Sequence, residues 1–268
     1  MTRTRRLVCL AGASALSLLA QDPDQAPRIR NALSESRAAQ PSLEAAFRSI
    51  VNTQNDPAWI GYTVPSTPGE PEGCRGTTVF LEGPRQQVLL FRIEARQVDR
   101  VRAFPVDCQV DGGGLRLYWL TGVKPAESVA LLDSLMNDSR DRIREQAASA
   151  LARAEDPSAV NVLLRAAQQD KSPRVRGQAL TSVAQRAGGQ IPESVIREAI
   201  EKDPDTEVKK KAVFALTQIP NGGGVPMLID VAKNNRNAAV RKQAMFWLGQ
   251  SKDARAVKFF DEILGAGR

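Results

Sequence analysis

From Pro125 onward, apolar positions recur at helical spacing inside a longer period. Ile143, Val175, Val208 and Val240 follow one another at intervals of 32, 33 and 32 residues. Each is followed four residues later by an alanine (Ala147, Ala179, Ala212, Ala244) and eight residues later by Leu151, Val183, Leu216 or Leu248. Offsets of zero, four and eight share one stripe of an α-helix, and the alanine lets a neighbouring helix come close. A second apolar row, Leu131, Leu163, Ile196 and Leu228, precedes each marker by twelve residues, with breakers at Asp156-Pro157, Gly188-Gly189, Pro220-Asn221-Gly222 and Ser251-Lys252-Asp253. The pattern predicts four helix pairs stacked as a solenoid, each burying its apolar face against the next.

The texture before residue 123 is different. β-branched and aromatic runs at Trp59–Val64, Thr77–Leu81, Gln87–Ile93, Gln97–Phe104 and Leu115–Leu120 alternate with Gly/Pro-rich breakers, which predicts a small antiparallel β domain over 57–122. Residues 21–56 are polar and proline-punctuated, with one amphipathic stretch from Ser42 to Val51, and are expected to form a linker with a short helix. The glycine run at 112–114 is followed by a strand rather than a helix N-terminus, so a hairpin turn is expected there and not a phosphate loop.

A polar row repeats with the apolar one. Asp138, Asp170, Asp203 and Asn235 stand five positions before the markers, and Arg144, Arg176, Lys209 and Arg241 one position after. The acidic or amide group is placed to satisfy N–H groups where the second helix starts and to pair with the basic row, forming a ladder.

The strings DSRDRIREQAASAL, DKSPRVRGQALTSV, DPDTEVKKKAVFAL and NRNAAVRKQAMFWLG resemble the HEAT repeats of the bacterial type related to phycobilin lyases. The resemblance covers residues 125–268. It implies a mainly α fold, an α-α superhelix of the HEAT/armadillo kind, preceded here by the small antiparallel β domain. Cys74 to Leu120 resembles the β region that precedes such repeats in exported bacterial proteins. HEAT proteins are mostly scaffolds and interaction modules, so the resemblance implies a protein or peptide partner.

Arg3, Arg5 and Arg6 precede a mostly apolar run from Leu7 to Ala20, after which the chain turns polar. Residues 1–20 therefore read as a secretory signal peptide, and a secreted or periplasmic protein with no membrane span in the mature chain is expected. Basic residues number 37 and acidic ones 30, a net charge of +7; three of the arginines and no acid lie in residues 1–20, which leaves +4 for the remainder. That mild excess argues against nucleic acid as the partner. In an exported chain Cys74 and Cys108 are expected to form a disulfide, Cys9 lying within the signal.

Histidine is absent, which removes Ser-His and Cys-His nucleophile arrangements and His-based metal centres. No catalytic residue, metal site or cofactor is expected. On each second helix, offsets three, six and ten from the marker face away from the core stripe, on the side that lines the concave face of HEAT-like stacks. Offset three reads Gln146, Gln178, Lys211, Gln243; offset six reads Ser149, Thr181, Phe214, Phe246; offset ten reads Arg153, Gln185, Gln218, Gln250. Long amides can hydrogen-bond a peptide backbone and a paired aromatic patch can anchor a side chain. Phe214 and Phe246, flanked by Lys211 and Gln243, are the expected hot spot, and exposure of both rings is its test. Trp247 and Phe259-Phe260 are expected to be packing at the end of the stack. The expected function is a non-catalytic exported scaffold or adaptor; the alternatives are an enzyme or accessory subunit using carboxylates in the groove, or an anion or nucleic-acid binder.

Overall fold

The structure, a computed structural model, describes residues 29–67, 85–106, 108–186 and 191–265. The signal segment, the strand expected at Thr77–Leu81, Cys74 and Gly188-Gly189 lie outside the described residues.

The N-terminal part contains Ile29–Arg30 (β1), Leu33–Ala38 (β2), Leu43–Thr53 (α1), Ala58–Pro65 (β3), Gln86–Glu94 (β4), Gln97–Pro105 (β5), Val110–Asp111 (β6) and Arg116–Thr121 (β7). A five-stranded sheet runs in the order β2-β7-β3-β4-β5, and β1 with β6 makes a short ribbon. The expected antiparallel strands are the β3-β4-β5 meander. The sheet continues with parallel pairs, β7 beside β3 and β2 beside β7. Residues 21–56 are thus more than a linker. β2 is the far edge strand, and α1, capped by the Ser42 hydroxyl accepting from the Ala45 N–H at 3.2 Å, lies on the sheet and buries Leu43, Phe47, Ile50 and Val51. The glycine run is a turn but not a hairpin: Gly113 and Gly114 take positive φ and carry the chain from the ribbon to β7. Gly112 is packed so closely that a Cβ would come within 2.6 Å of the Ala32 methyl.

Because residues alternate across a sheet, one face gives Tyr62, Leu89, Phe91 and Ile93 to the main core. Phe91 meets Phe47 edge-on at 5.0 Å and stacks on Tyr62 at 5.7 Å. The other face gathers Val88, Leu90, Leu117 and Trp119 under the ribbon. Gly61 is required there: a Cβ would sit 2.5 Å from Leu90 Cδ2 and 2.8 Å from the Trp119 ring.

The helical part is four antiparallel pairs and a closing helix: Pro125–Leu135 (α2) with Asp141–Leu151 (α3), Ser158–Gln169 (α4) with Pro173–Gln185 (α5), Glu193–Lys202 (α6) with Thr206–Thr217 (α7), Val225–Asn234 (α8) with Ala238–Gln250 (α9), and Ala254–Gly265 (α10). Every residue of the apolar rows read from the period is buried, none more than 2% exposed. Neighbouring second helices pack more closely than neighbouring first helices, which bends the stack toward the second-helix side.

The two parts share one core. The α1 side of the sheet and the first helices form a continuous buried cluster, and the Tyr62 hydroxyl meets the Ser128 hydroxyl of α2 at 3.0 Å. Burial pushes the Tyr62 phenol well above its ordinary pKa, the Ser128 hydrogen bond offsetting part of it. Among the described residues, no helix is long and apolar enough to cross a membrane.

Candidate functional site: a groove between strand β5 and the second helices

The polar ladder forms as its spacing requires. At each inter-helix turn the repeated acidic or amide side chain accepts from the N–H two residues on: Asp138 from Arg140, Asp170 from Ser172, Asp203 from Asp205 and Asn235 from Asn237, at 2.8–2.9 Å. Arg144 then makes a two-pronged ion pair to Asp170 of the next repeat at 2.8 and 3.0 Å, and Arg176 does the same to Asp203 at 2.7 and 2.9 Å. Each arginine also donates from Nη1 to the carbonyl of its own repeat's aspartate, Asp138 or Asp170. Burial pushes the Asp170 and Asp203 carboxyls up, but the facing guanidiniums and turn N–H groups outweigh it and hold both below the usual range. Arg144 is 3% exposed. These arginines face inward and form no surface track for an anion.

The same ladder side of the first pair holds the sheet. Along the outer edge of β5, Arg140 Nη2 donates to the Val98 carbonyl at 2.8 Å, Arg142 Nη2 to the Asp99 carbonyl at 2.8 Å, and the Gln146 Oε1 accepts from the Val101 N–H at 2.8 Å. An unpaired sheet edge is open to association; among the described residues β5 is such an edge, and α3 covers its first half with side chains. The turn after α3 is tied to the segment just past β3, where the Thr67 N–H donates to the Arg153 carbonyl at 3.0 Å. Arg186, a residue no sequence signal singled out, is buried and caps the Leu151 and Ala154 carbonyls.

Beyond Gln146 the edge of β5 and the second helices separate and leave a groove of about 690 Å3. Val101 to Pro105 form one wall and Gln146, Gln178, Thr181, Gln185 and Gln218 the other. Arg102 and Arg153 are its charged side chains, and no Asp or Glu lines it among the described residues. The offset-ten positions of the first three repeats and the offset-three glutamines of the first two therefore converge, as their period implies. The strand wall carries no comparable periodic signal.

The expected site residues divide into two places. Gln146 and Gln178 line the groove. Gln146 is occupied by Val101, and the Gln178 amide donates to the Ser182 hydroxyl at 3.1 Å. Lys211, Phe214, Gln243 and Phe246 do not line it. The Lys211 stem packs over Gly177, where a Cβ would lie 2.7 Å from Lys211 Cδ. Phe214 is half-buried and Phe246 is 53% exposed; each ring leans on Trp247, at 5.4 and 5.0 Å between centroids. Trp247 is thus the middle of an aromatic cluster at the C-terminal end of the stack. Phe259 is buried and packs on Phe260 at 5.2 Å. Among the described residues no group of three or more His, Cys, Asp or Glu is placed to hold a metal ion.

This repeated architecture has a family. HEAT repeats match residues 117–190 and 193–268, more than half of the chain, and the chain belongs to the HEAT-repeat proteins. No curated protein matches. Solved structures with similar folds include YibA of E. coli, at 25% identity over 52% of this chain and 54% of that one with a TM-score of 0.39. The complex of CpcE and CpcF of phycocyanin lyase from Nostoc is similar at 19% identity over 47% of this chain and 86% of that one, with a TM-score of 0.36. An engineered protein is similar at 22% identity over 52% and 41%, with a TM-score of 0.27. The chain spans about half the length of YibA.

Proposed function

We propose that this chain is a non-catalytic scaffold or adaptor that holds a protein or peptide partner on the concave, second-helix face of its repeats. HEAT repeats in general mediate protein interaction. The observation that carries the finer reading is the groove itself: an amide-rich helical wall facing a strand, with arginines and, among the described residues, no carboxylate in its lining. Such a lining offers hydrogen bonds to a backbone and an orienting charge. Among the described residues it holds no paired acids of the kind a carboxylate enzyme in this groove needs. The inward-turned Arg144 and Arg176 likewise weigh against an anion or nucleic-acid binder.

The test is affinity capture from the cell envelope by the full chain, compared with Gln178→Ala/Gln185→Ala and with Phe214→Ala/Phe246→Ala. Loss of the same captured protein with the first pair supports the groove; loss with the second pair alone moves the contact to the aromatic cluster. Unchanged capture by both sinks the reading. The arginine-led apolar segment from Arg3 to Ala20 supports export, and export supports a Cys74–Cys108 disulfide. A mature N-terminus after Ala20 in envelope fractions, with two cysteines that alkylate only after reduction, is the expected result.

A further inference from the structure

The face of the sheet turned away from the helices holds a second cavity, of about 300 Å3, beneath the β1–β6 ribbon. Strand register lays out its floor and walls. Leu117, Trp59, Arg92 and Arg100 stand in one row across β7, β3, β4 and β5, and Leu90 lies opposite Arg102 in the next row. Leu90 and Leu117 are buried and form the floor; Trp59 and Phe104, both half-buried, stand diagonally on either side of Leu90, and Ile29 and Val110 close over from the ribbon. An apolar concavity with a few charged groups at one place is the usual form of a small-ligand site, and this volume is at the low end of the range of about 300–1,000 Å3 that such sites span. The charged side chains in its lining are Arg100, Arg102 and Asp111. The Asp111 Oδ1 accepts from the Asn31 amide at 3.2 Å and from the Gly113 N–H at 2.8 Å, which ties it to the turn. The arginines crowd one another instead. Arg92, which reaches Glu94 at 3.3 Å, is directly opposite Arg100, and Arg102 follows two residues on along the same face. Like charges facing each other across strands are unfavourable, so an anion at Arg100 and Arg102 relieves a repulsion that the register imposes.

We propose that this cavity binds a small aromatic carboxylate, its ring beneath the ribbon against Trp59, Phe104 and Leu90 and its carboxylate on Arg100 and Arg102. The ring supplies the apolar and edge-to-face contacts that two aromatic side chains favour. The guanidinium is the side chain best matched to a planar carboxylate, which it can hold with two parallel hydrogen bonds. Arg102 is exposed and Arg100 half-buried, so the charged end of the ligand lies toward solvent and its apolar end toward Leu117. The site is separate from the concave-face reading, and its failure leaves that reading standing. Arg102 and Phe104 also line the groove, whereas Trp59, Arg100, Val110 and Leu117 line this cavity and not the groove.

The probe is 2-naphthoate, titrated into the full chain by isothermal titration calorimetry beside 2-naphthylmethanol, which keeps the ring without the charge, and 2-naphthylmethylammonium, which reverses it. Naphthoate is expected to bind about tenfold or more tighter than either companion, the difference made by charge-assisted hydrogen bonds. Arg100→Gln/Arg102→Gln is expected to weaken naphthoate about tenfold or more and to leave the alcohol unchanged. Val110→Phe fills the space under the ribbon and is expected to weaken all three ligands together. The arginine variant and the ligand series keep the test valid should Val110→Phe misfold. Nuclear Overhauser contacts from the naphthoate ring to the Val110 and Leu117 methyl groups are expected and fix the place of binding. A chain that does not bind naphthoate, equal affinity for the three ligands, or an arginine variant that binds naphthoate as the unaltered chain does overturns the proposal. So do ring contacts confined to residues outside this cavity.

Discussion

The first two rungs of the ladder and the third carry out the same job with different chemistry. Between the first and second repeats the buried Arg144, and between the second and third the mostly buried Arg176, grips the next repeat's aspartate with both prongs. Between the third and fourth, lysine and asparagine take those places: the Lys209 Nζ donates instead to the Glu201 carbonyl at 2.9 Å, and the repeats are joined by the Asn237 amide donating to the Thr206 hydroxyl at 2.9 Å. Arg241 keeps the bonds to its own turn, to the Asn235 and Arg236 carbonyls. A solenoid's stability is close to a sum of repeat and neighbour-interface terms, so the two halves can be tuned separately. The half locked by ion pairs is also the half buttressed by the sheet and holding the groove, whereas the half with neutral contacts exposes Phe246.

The largest effect should come from breaking an ion-paired rung. Asp170→Ala leaves Arg144 buried without its carboxylate and is expected to cost about 3–5 kcal/mol in denaturant unfolding, against about 1 kcal/mol for Asn235→Ala. Equal losses would erase the distinction between the halves. The acid response should follow the same division. Asp170 and Asp203 are held below their ordinary range in the folded chain, so their contribution is present above the unfolded carboxyl pKa of about 3.9 and is lost as pH falls through the lower folded values. Asp170→Asn should flatten the fall in melting temperature below about pH 4, whereas Asn235→Ala should leave it unchanged.

Gln146→Ala removes the acceptor of the Val101 N–H and is expected to cost about 1 kcal/mol, with faster amide exchange at Val101 and little change at Leu89. Converting the third rung to the form of the others, Lys209→Arg with Asn235→Asp, should show a favourable coupling of about 1 kcal/mol in a double-mutant cycle; zero coupling would mean that backbone spacing, not side-chain identity, separates the halves. Phe246→Ala should move stability by no more than about 0.5 kcal/mol, since the ring is largely in solvent; a larger loss would make the aromatic cluster a structural cap rather than a docking surface.

Much of this was readable in one dimension. The rows beginning at Ile143 and Leu131 identified every repeat, because each helix must bury one stripe, and the Asp and Arg rows announced the ladder. The amide wall was readable for the same reason, as Gln146, Gln178, Gln185 and Gln218 keep register with the core stripe. β2 was not: Leu33–Ala38 is mostly polar and exposed, so nothing in its pattern marks a strand, and it is one because the backbone of β7 offers it a partner. The aromatic hot spot was placed among Lys211 and Gln243 by offset alone, without the tilt that sends Lys211 over Gly177 and gathers both phenylalanines around Trp247.

What the order of residues determined by itself is the stack of helix pairs, since a repeat interacts with its neighbours through contacts whose spacing is written in the period. Only the tertiary structure decided that β5 is the edge strand facing those helices, that three side chains of the first pair cover half of that edge, and that the rest opens onto a groove. Strand order and edge exposure depend on pairings between distant segments, and a local pattern of polar and apolar residues is the same whichever neighbour a strand finds.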